Sequence, residues 1–190
     1  MRSILLLPLG NADPEIVSGL HAPLAHTFHA EVAEADCDLD LEQFFDAQRV
    51  QYNSTEIIHQ ISTNHVPAFP GTEKPHASLK FLAVSAEDLF IPILTYVFGE
   101  AELGGSVSLV SYHRLQPQRY GLSPDSRLLA SRLEKEALHE LGHSYGLVHC
   151  SRLECVMHTS TYVEDIDLKG DSFCGDCLLL LKLPLRSPLR

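Results

Sequence analysis

Three histidines and a glutamate in one short run carry the strongest chemical signal in this chain. His139, His143 and His149 follow the pattern H-E-x-x-H-x-x-G-x-x-H, with Glu140 directly after the first histidine. On a helix, residues four apart lie on one face with Cβ atoms roughly 5–6 Å apart, so the first two histidines can bind one ion. Gly146 can adopt the left-handed conformation that ends a helix, which lets the chain return with the third histidine.

This pattern predicts a catalytic zinc site. Three neutral imidazoles leave the fourth position of a tetrahedral zinc ion open for water. Zinc lowers the pKa of such a water toward about 7 and polarises the carbonyl group under attack. Glu140 would take the water proton as general base and pass it to the leaving amine as general acid. The predicted reaction is metal-assisted hydrolysis of an amide, most simply a peptide bond.

Four of the five cysteines form a second cluster in the last quarter of the chain. Cys150 and Cys155 make a C-x4-C pair, and Cys174 and Cys177 make a C-x2-C pair after a spacer. Two such pairs are typical of a structural zinc site with four thiolate ligands, and two disulfides are the alternative. Cys37 lies apart in an acidic stretch and is assigned no role.

The compartment decides between thiolates and disulfides. The first apolar run, residues 4–7, is short and ends at Pro8, whereas a signal peptide needs a longer apolar core and a small-residue cleavage site. We therefore predict a cytoplasmic protein with reduced thiols and a zinc ion at the cysteines. Because Cys150 directly follows His149, we hypothesise that losing this metal loosens the third histidine and weakens binding at the histidine site.

These motifs resemble those of the metzincin metallopeptidases and, among them, the archaemetzincins. Metzincins share the histidine run and a downstream methionine in a turn beneath the metal, the Met-turn. Met157 follows Cys155 by two residues, and C-x4-C-x-M followed by C-x-x-C is similar to the archaemetzincin signature. The resemblance implies peptidase activity and two zinc ions per chain, one catalytic and one structural.

The same resemblance implies a zincin-like fold. Its expected parts are a mixed twisted sheet with an edge strand over the cleft, a long zinc-binding helix and a small irregular C-terminal subdomain. Met157 has a simpler alternative, because a single methionine usually fills a core, but its place after Cys155 favours the Met-turn. No oxyanion donor is assigned: Tyr162 lies some way beyond the methionine, and His158 is expected at the surface or in the core rather than as a ligand.

Length and charge restrict the remaining interpretations. At 190 residues a single domain is expected, with an upper part at residues 1–146 and a lower part at residues 147–190. The formal net charge is −11, and phosphate backbones repel an acidic chain, so we expect no nucleic-acid partner. No run approaches the roughly 20 apolar residues of a membrane helix, so we expect no membrane span.

The spacing of apolar residues and turn signals predicts an α/β (α+β) chain. The strand at residues 106–112 alternates as a half-exposed strand does, and we expect it to be the edge strand that pairs with extended substrate. The proline-rich segment 64–77 is expected to be a plain connection. Strands are predicted at residues 4–7, 28–32, 79–84 and 106–112, and helices after Asp13, after Asn53 or Ser54, and after Asp125.

The predicted function is peptide-bond hydrolysis by a zinc peptidase. One alternative is a non-catalytic, zinc-stabilised scaffold that binds peptides or partners, although such a scaffold needs no general base at Glu140. A second alternative is a zinc hydrolase that acts on small amides. The sequence indicates neither the preferred substrate residue nor the oligomeric state.

Overall fold

The computed structural model describes residues 2–68 and 79–183. A five-stranded mixed sheet forms its centre, with the strand order β2-β1-β5-β8-β7. The first four strands in this order run parallel, and β7 is antiparallel to its neighbour. The strands of this sheet are β1 (Arg2–Leu9), β2 (Ala30–Glu34), β5 (Leu79–Ser85), β7 (Gly99–Ala101) and β8 (Val107–Ser111), and a smaller sheet contains β3 (Phe45–Asp46), β4 (Gln51–Asn53) and β6 (Leu89–Phe90).

Three helices begin at the polar residues that the sequence predicts as their N-caps. The side chains of Asp13, Asn53 and Asp125 each accept a hydrogen bond from a backbone N–H in the first turn. Such bonds satisfy donors that have no partner within the helix. The helices are α1 (Pro14–Ser18), α2 (His21–Phe28), α3 (Ser54–Gln60), α4 (Ser126–Ser144), α5 (Val163–Leu168) and α6 (Gly175–Leu180).

Hydrophobic cores lie on both faces of the main sheet, because successive side chains of a strand point to opposite faces. On β5, Leu82 and Val84 join the core that contains α4, whereas Phe81 and Ala83 join the core that contains α3. The core on the α4 side also contains apolar residues of the C-terminal part, so α4 shares one core with the sheet and with that part.

The sequence prediction for β2 is wrong at its beginning. Phe28 is the last residue of α2 rather than part of a strand, and His29 adopts the left-handed conformation with φ 49° that ends the helix. Phe28 is fully buried and packs against the rings of Tyr145 and Phe173. This packing explains why its apolar side chain belongs to the helix that covers the core.

The prediction of an edge strand at residues 106–112 is also wrong. The observed strand β8 lies between β5 and β7, and all five of its residues are buried. Ser108 and Ser111 gave the appearance of a polar, exposed face, but their hydroxyl groups donate to backbone carbonyls of Phe81 and Glu87. Small hydroxyl side chains can be buried when they are hydrogen-bonded in this way. The edge strand is β7 instead.

The C-terminal part is small and irregular, as expected from the resemblance. Up to residue 183 it contains the short helices α5 and α6 and an isolated β-bridge between Cys155 and Ser172. Most of the proline-rich segment 64–77 and the basic tail after residue 183 lie outside the described residues. Within residues 2–68 and 79–183, no helix combines the length and apolar character needed to cross a membrane.

Candidate metal centre and cleft

Helix α4 brings the first two motif histidines together. His139 and His143 lie one turn apart near the C-terminal end of this 19-residue helix, and their Nε2 atoms are 3.0 Å apart. His139 is buried with 5% of its surface exposed, and His143 is half-buried. Two imidazole nitrogens this close can bind one metal ion on the same helix face.

The chain turns sharply after the helix and returns the third histidine. Gly146 has a φ of 93°, which favours glycine, and its N–H donates to the carbonyl of His143. The ring centroid of His149 consequently lies 5.2 Å from that of His139 and 4.9 Å from that of His143. One nitrogen from each of the three rings lies within 4.8 Å of the others. The structure therefore brings together all three predicted histidines.

Backbone carbonyls fix the orientation of the first two rings. The Nδ1 of His139 is 2.9 Å from the carbonyl of Val156, and the Nδ1 of His143 is 2.7 Å from that of Leu147. Since a carbonyl only accepts, Nδ1 carries the proton and Nε2 keeps its lone pair toward the common point. Burial lowers the pKa of both imidazoles, most strongly at His139, where the charge of Lys169 adds to the effect. Neutral imidazoles aimed at one point fit a zinc ion.

Glu140 lies in the cleft against the edge strand. Only 6% of its surface is exposed, and its Cγ would be 2.6 Å from a Cβ at position 99. Gly99 of β7 thus leaves the space that the glutamate occupies. Burial raises the pKa of the Glu140 carboxyl well above its usual range, and the negative charge of Glu136 adds to this shift. The role of Gly99 has no signal in the local sequence.

The predicted Met-turn methionine lies beneath the zinc helix. Met157 is fully buried, and a Cβ at Gly142 would collide with its Sδ. The carbonyl of Met157 accepts a 2.9 Å hydrogen bond from the N–H of Cys150, the residue after His149. The methionine therefore contacts the helix and also holds the segment that carries the third histidine.

The four predicted cysteines form a tight cluster in the C-terminal part. The Sγ atoms of Cys150 and Cys174 are 3.8 Å apart, as are those of Cys155 and Cys177, and all four lie within 4.8 Å of one another. Four sulfurs at about 2.3 Å from a zinc ion stand about 3.8 Å apart in a tetrahedron. A disulfide would require about 2.05 Å, so these cysteines are not paired as disulfides, and their spacing is consistent with a structural zinc site. Cys37 lies apart, as expected.

A buried ion pair below the cleft was not predicted. The Nζ of Lys169 is 2.7 Å from an Oε of Glu136, and these side chains are 1% and 4% exposed. Glu136 is one helical turn before Glu140 and lines the cleft. The two residues are distant in sequence, and only the fold brings them together. The lysine partly offsets the effect of Glu136 on its neighbour, because Lys169 lowers the pKa of the Glu140 carboxyl whereas Glu136 raises it.

The cleft that contains these groups has a volume of about 670 Å³. Strand β7 and the segment before it form the upper rim, and residues 159–162 form the lower rim. Tyr162 lies on this lower rim with 63% of its surface exposed. His158 is half-buried and its Nδ1 lies 3.0 Å from the carbonyl of Cys150, so it contacts backbone in the cysteine segment.

The chain shares sequence and fold with known zinc peptidases. It is 33% identical to the archaemetzincin of Pyrococcus furiosus over 94% of this chain and 92% of that protein. The structure of the archaemetzincin from Archaeoglobus fulgidus superposes with a TM-score of 0.75 at 36% identity, covering 94% of this chain and 99% of that one. A zinc-dependent peptidase from Methanocorpusculum labreanum superposes with a TM-score of 0.82 at 28% identity, covering 94% of this chain and 99% of that one.

Family assignment rests on most of the chain rather than on the metal motifs alone. Residues 41–183 match Peptidase family M54, and this stretch contains both clusters of candidate metal ligands. The mixed sheet, long histidine-bearing helix and cysteine-rich C-terminal part agree with the matched structures. The chain therefore belongs to Peptidase family M54, the archaemetzincins, and is a metzincin-type zinc metallopeptidase.

Proposed function

We propose that the chain hydrolyses peptide bonds at His139, His143 and His149, with Glu140 as general base and then general acid. The observation that carries the proposal is the convergence of three neutral imidazole nitrogens beside a buried carboxyl group. When bound, zinc supplies an open position that acidifies water and polarises a carbonyl. The protein's own contribution is to hold the His139 and His143 rings in one tautomer and orientation and to return His149 to the same point.

Glu140 carries out the proton transfer in this proposal. Its carboxylate receives the proton of the attacking water and delivers it to the nitrogen of the departing amine. Burial raises its pKa, and a carboxylate with a raised pKa is a better base near neutral pH than an exposed one. Gly99 keeps the side chain in the cleft by leaving room for its Cγ and Cδ.

Substrate recognition is assigned to the outer edge of β7. The inner edge of β7 pairs with β8, and no strand within residues 2–68 and 79–183 pairs with the outer edge, where an extended peptide would add. Main-chain pairing of this kind binds peptides with little dependence on sequence. Leu94, Leu103 and Val148 line the cleft with exposed apolar side chains, which favours peptides with apolar residues near the scissile bond.

The cysteine cluster is proposed as the structural zinc site, which gives two zinc ions per chain. Its four cysteine thiolates would fill all four positions of a tetrahedral zinc ion and leave none for a substrate. Its role is therefore to hold the lower part in position. The core joins residues of both parts, which supports a single domain with an upper part at 1–146 and a lower part at 147–190. Free thiols agree with the predicted cytoplasmic location, which stays a prediction.

The test combines metal analysis with one substitution. We expect two zinc ions per chain, and we expect Glu140→Ala to keep both while losing about 10²–10⁴-fold in peptide hydrolysis. Glu31→Ala is the matched control, because Glu31 is exposed on β2 at the opposite edge of the sheet. Unchanged turnover in Glu140→Ala would contradict the mechanism, and activity on small amides but on no peptide would favour the alternative hydrolase.

A further inference from the structure

One hydrogen bond joins the two rims of the cleft. The hydroxyl of Tyr96, on the segment before β7, donates to the backbone carbonyl of Thr161 at 3.0 Å. Tyr96 belongs to the upper rim and Thr161 to the lower rim, and both line the cleft. The contact therefore spans the groove in which an extended substrate would lie.

The upper end of this bridge is held firmly. The guanidinium carbon of Arg114 lies 4.1 Å from the centroid of the Tyr96 ring, and Arg114 forms a bidentate ion pair with Asp88 at 2.6 and 2.7 Å. The ring of Phe98 packs edge-on against Tyr96 with centroids 5.5 Å apart. A cation over one face and an aromatic edge beside the ring fix the direction of its hydroxyl group.

The lower end is held by the start of α5. The backbone N–H groups of Thr161 and Tyr162 both donate to Oδ2 of Asp165 at 2.8 Å. Asp165 lies in the first turn of that helix, where a carboxylate is stabilised by the helix dipole. Because further contacts fix both ends, the hydrogen bond between Tyr96 and Thr161 is a well-supported part of the cleft wall.

The bridge lies close to the reacting groups along the direction of the substrate. Tyr96 precedes Gly99 by three residues, and Gly99 lies directly against Glu140. Three residues span at most about 10 Å, so no more than about three substrate residues fit between the scissile bond and the bridge. Antiparallel pairing is the more stable kind and would direct the C-terminal part of a substrate on β7 toward Tyr96.

We propose that the Tyr96–Thr161 bridge limits substrate length, so that only a short segment fits on the C-terminal side of the scissile bond. This inference rests on the proposed peptidase function and adds a specificity determinant to it. Within the described residues, no second hydrogen bond joins the two rims, so we expect no such limit on the N-terminal side of the substrate. The enzyme would release short C-terminal fragments from peptides rather than cut folded or long chains internally.

The experiment uses zinc-loaded full-length protein and peptides with one fixed scissile bond, lengthened by one residue at a time on either side. Cleavage is followed by mass spectrometry, and binding is measured on Glu140→Ala, in which hydrolysis is expected to be too slow to consume the peptide during the measurement. We expect kcat/KM and affinity to fall by about tenfold or more once the C-terminal side exceeds about three residues. Lengthening the N-terminal side should have little effect.

Two substitutions at the bridge test its role. Tyr96→Phe removes only the hydroxyl group and should weaken the limit, whereas Tyr96→Ala should open the groove and restore long peptides to the rate of short ones. Tyr52→Phe is the control, because Tyr52 lies on β4 of the smaller sheet, its hydroxyl donates to Glu42, and it does not line the cleft. Because the readout is the ratio of long to short peptides, general damage to the fold would not imitate it.

Some outcomes would overturn this inference. The inference is wrong if the wild-type protein binds and cleaves peptides with a long C-terminal side as well as those with a short one. The proposed peptidase function would not be affected by that result. A length limit that persists unchanged in Tyr96→Ala would also overturn the inference. Absence of cleavage, with the length limit still present in binding, would instead contradict the proposed peptidase function and leave the bridge as the determinant of peptide length.

Discussion

Gly99 lies directly against the side chain of Glu140 in the cleft. A Cβ on residue 99 would lie 2.6 Å from Cγ and 2.9 Å from Cδ of the glutamate. The same Cβ would lie 2.7 Å from the carbonyl of Leu109 on β8. Neither neighbour can move freely, because one is backbone inside the sheet and the other is a buried side chain. The edge strand therefore sets the position of the proposed general base.

We predict that Gly99→Ala reduces kcat/KM by about tenfold to 10²-fold, because small displacements of a catalytic group are costly. Zinc content should remain that of the wild type, since the three atoms nearest to the new methyl group belong to Glu140 and Leu109 and not to a histidine. Gly19→Ala is the control, as a Cβ there meets nothing closer than 3.3 Å. Full activity with unchanged zinc in Gly99→Ala would show that Glu140 does not depend on this space.

The buried pair of Lys169 and Glu136 gives a stability prediction. Lys169→Met leaves Glu136 without its counter-charge at a site that is 4% exposed, and such a loss costs about 3–5 kcal/mol. We expect the double variant Lys169→Met with Glu136→Gln to recover most of that loss, because no charge remains buried. Urea unfolding of the single and double variants measures both effects. A double variant as unstable as Lys169→Met alone would mean that lysine packing, and not charge, is what matters.

The sequence predicted those parts of the site that depend on neighbours in the chain. The histidines of α4, the turn at Gly146 and the cap at Asp125 follow local rules of spacing and hydrogen bonding, and the structure places them as expected. The contacts of Glu140 with Gly99 and of Glu136 with Lys169 join residues at least 30 positions apart, and no local pattern marks them.

The order of the strands was the other part that the sequence did not predict. Burial of Ser108 and Ser111 depends on carbonyl partners from elsewhere in the fold, so alternation alone suggested an exposed strand. Strand β7 has only three residues and begins with Gly99, a residue type that is depleted in strands, so its strand signal is weak. Its position as the edge strand follows from tertiary pairing with β8.

The cysteine cluster is predicted to support the histidine site. Cys174→Ser removes one of four ligands, and we expect loss of the zinc ion held there. The segment with Cys150 and His149 should then loosen, so that the histidine site binds zinc more weakly. Zinc counted per chain during titration with a chelator measures this coupling, and Cys37→Ser serves as the control. A Cys174→Ser protein that retains one zinc ion at wild-type affinity would sink the proposed coupling.

Gly142 and Met157 provide a test of the contact beneath the zinc helix. Alanine is favoured over glycine within a helix by about 1 kcal/mol, so Gly142→Ala would stabilise α4 if nothing lay nearby. Here the new Cβ would collide with the Sδ of Met157 and lie 3.1 Å from the ring of Phe173. We therefore expect a net loss of stability and weaker zinc binding at His139 and His143.

The double variant distinguishes a collision from a general defect of the helix. Met157→Ala alone should cost about 2–5 kcal/mol, because it leaves a cavity at a fully buried position. Added to Gly142→Ala, it removes the colliding sulfur, so the combined loss in unfolding free energy should be smaller than the sum of the two single losses. Strict additivity in urea unfolding would mean that the two residues do not press on each other, and the methionine would then act as ordinary core packing.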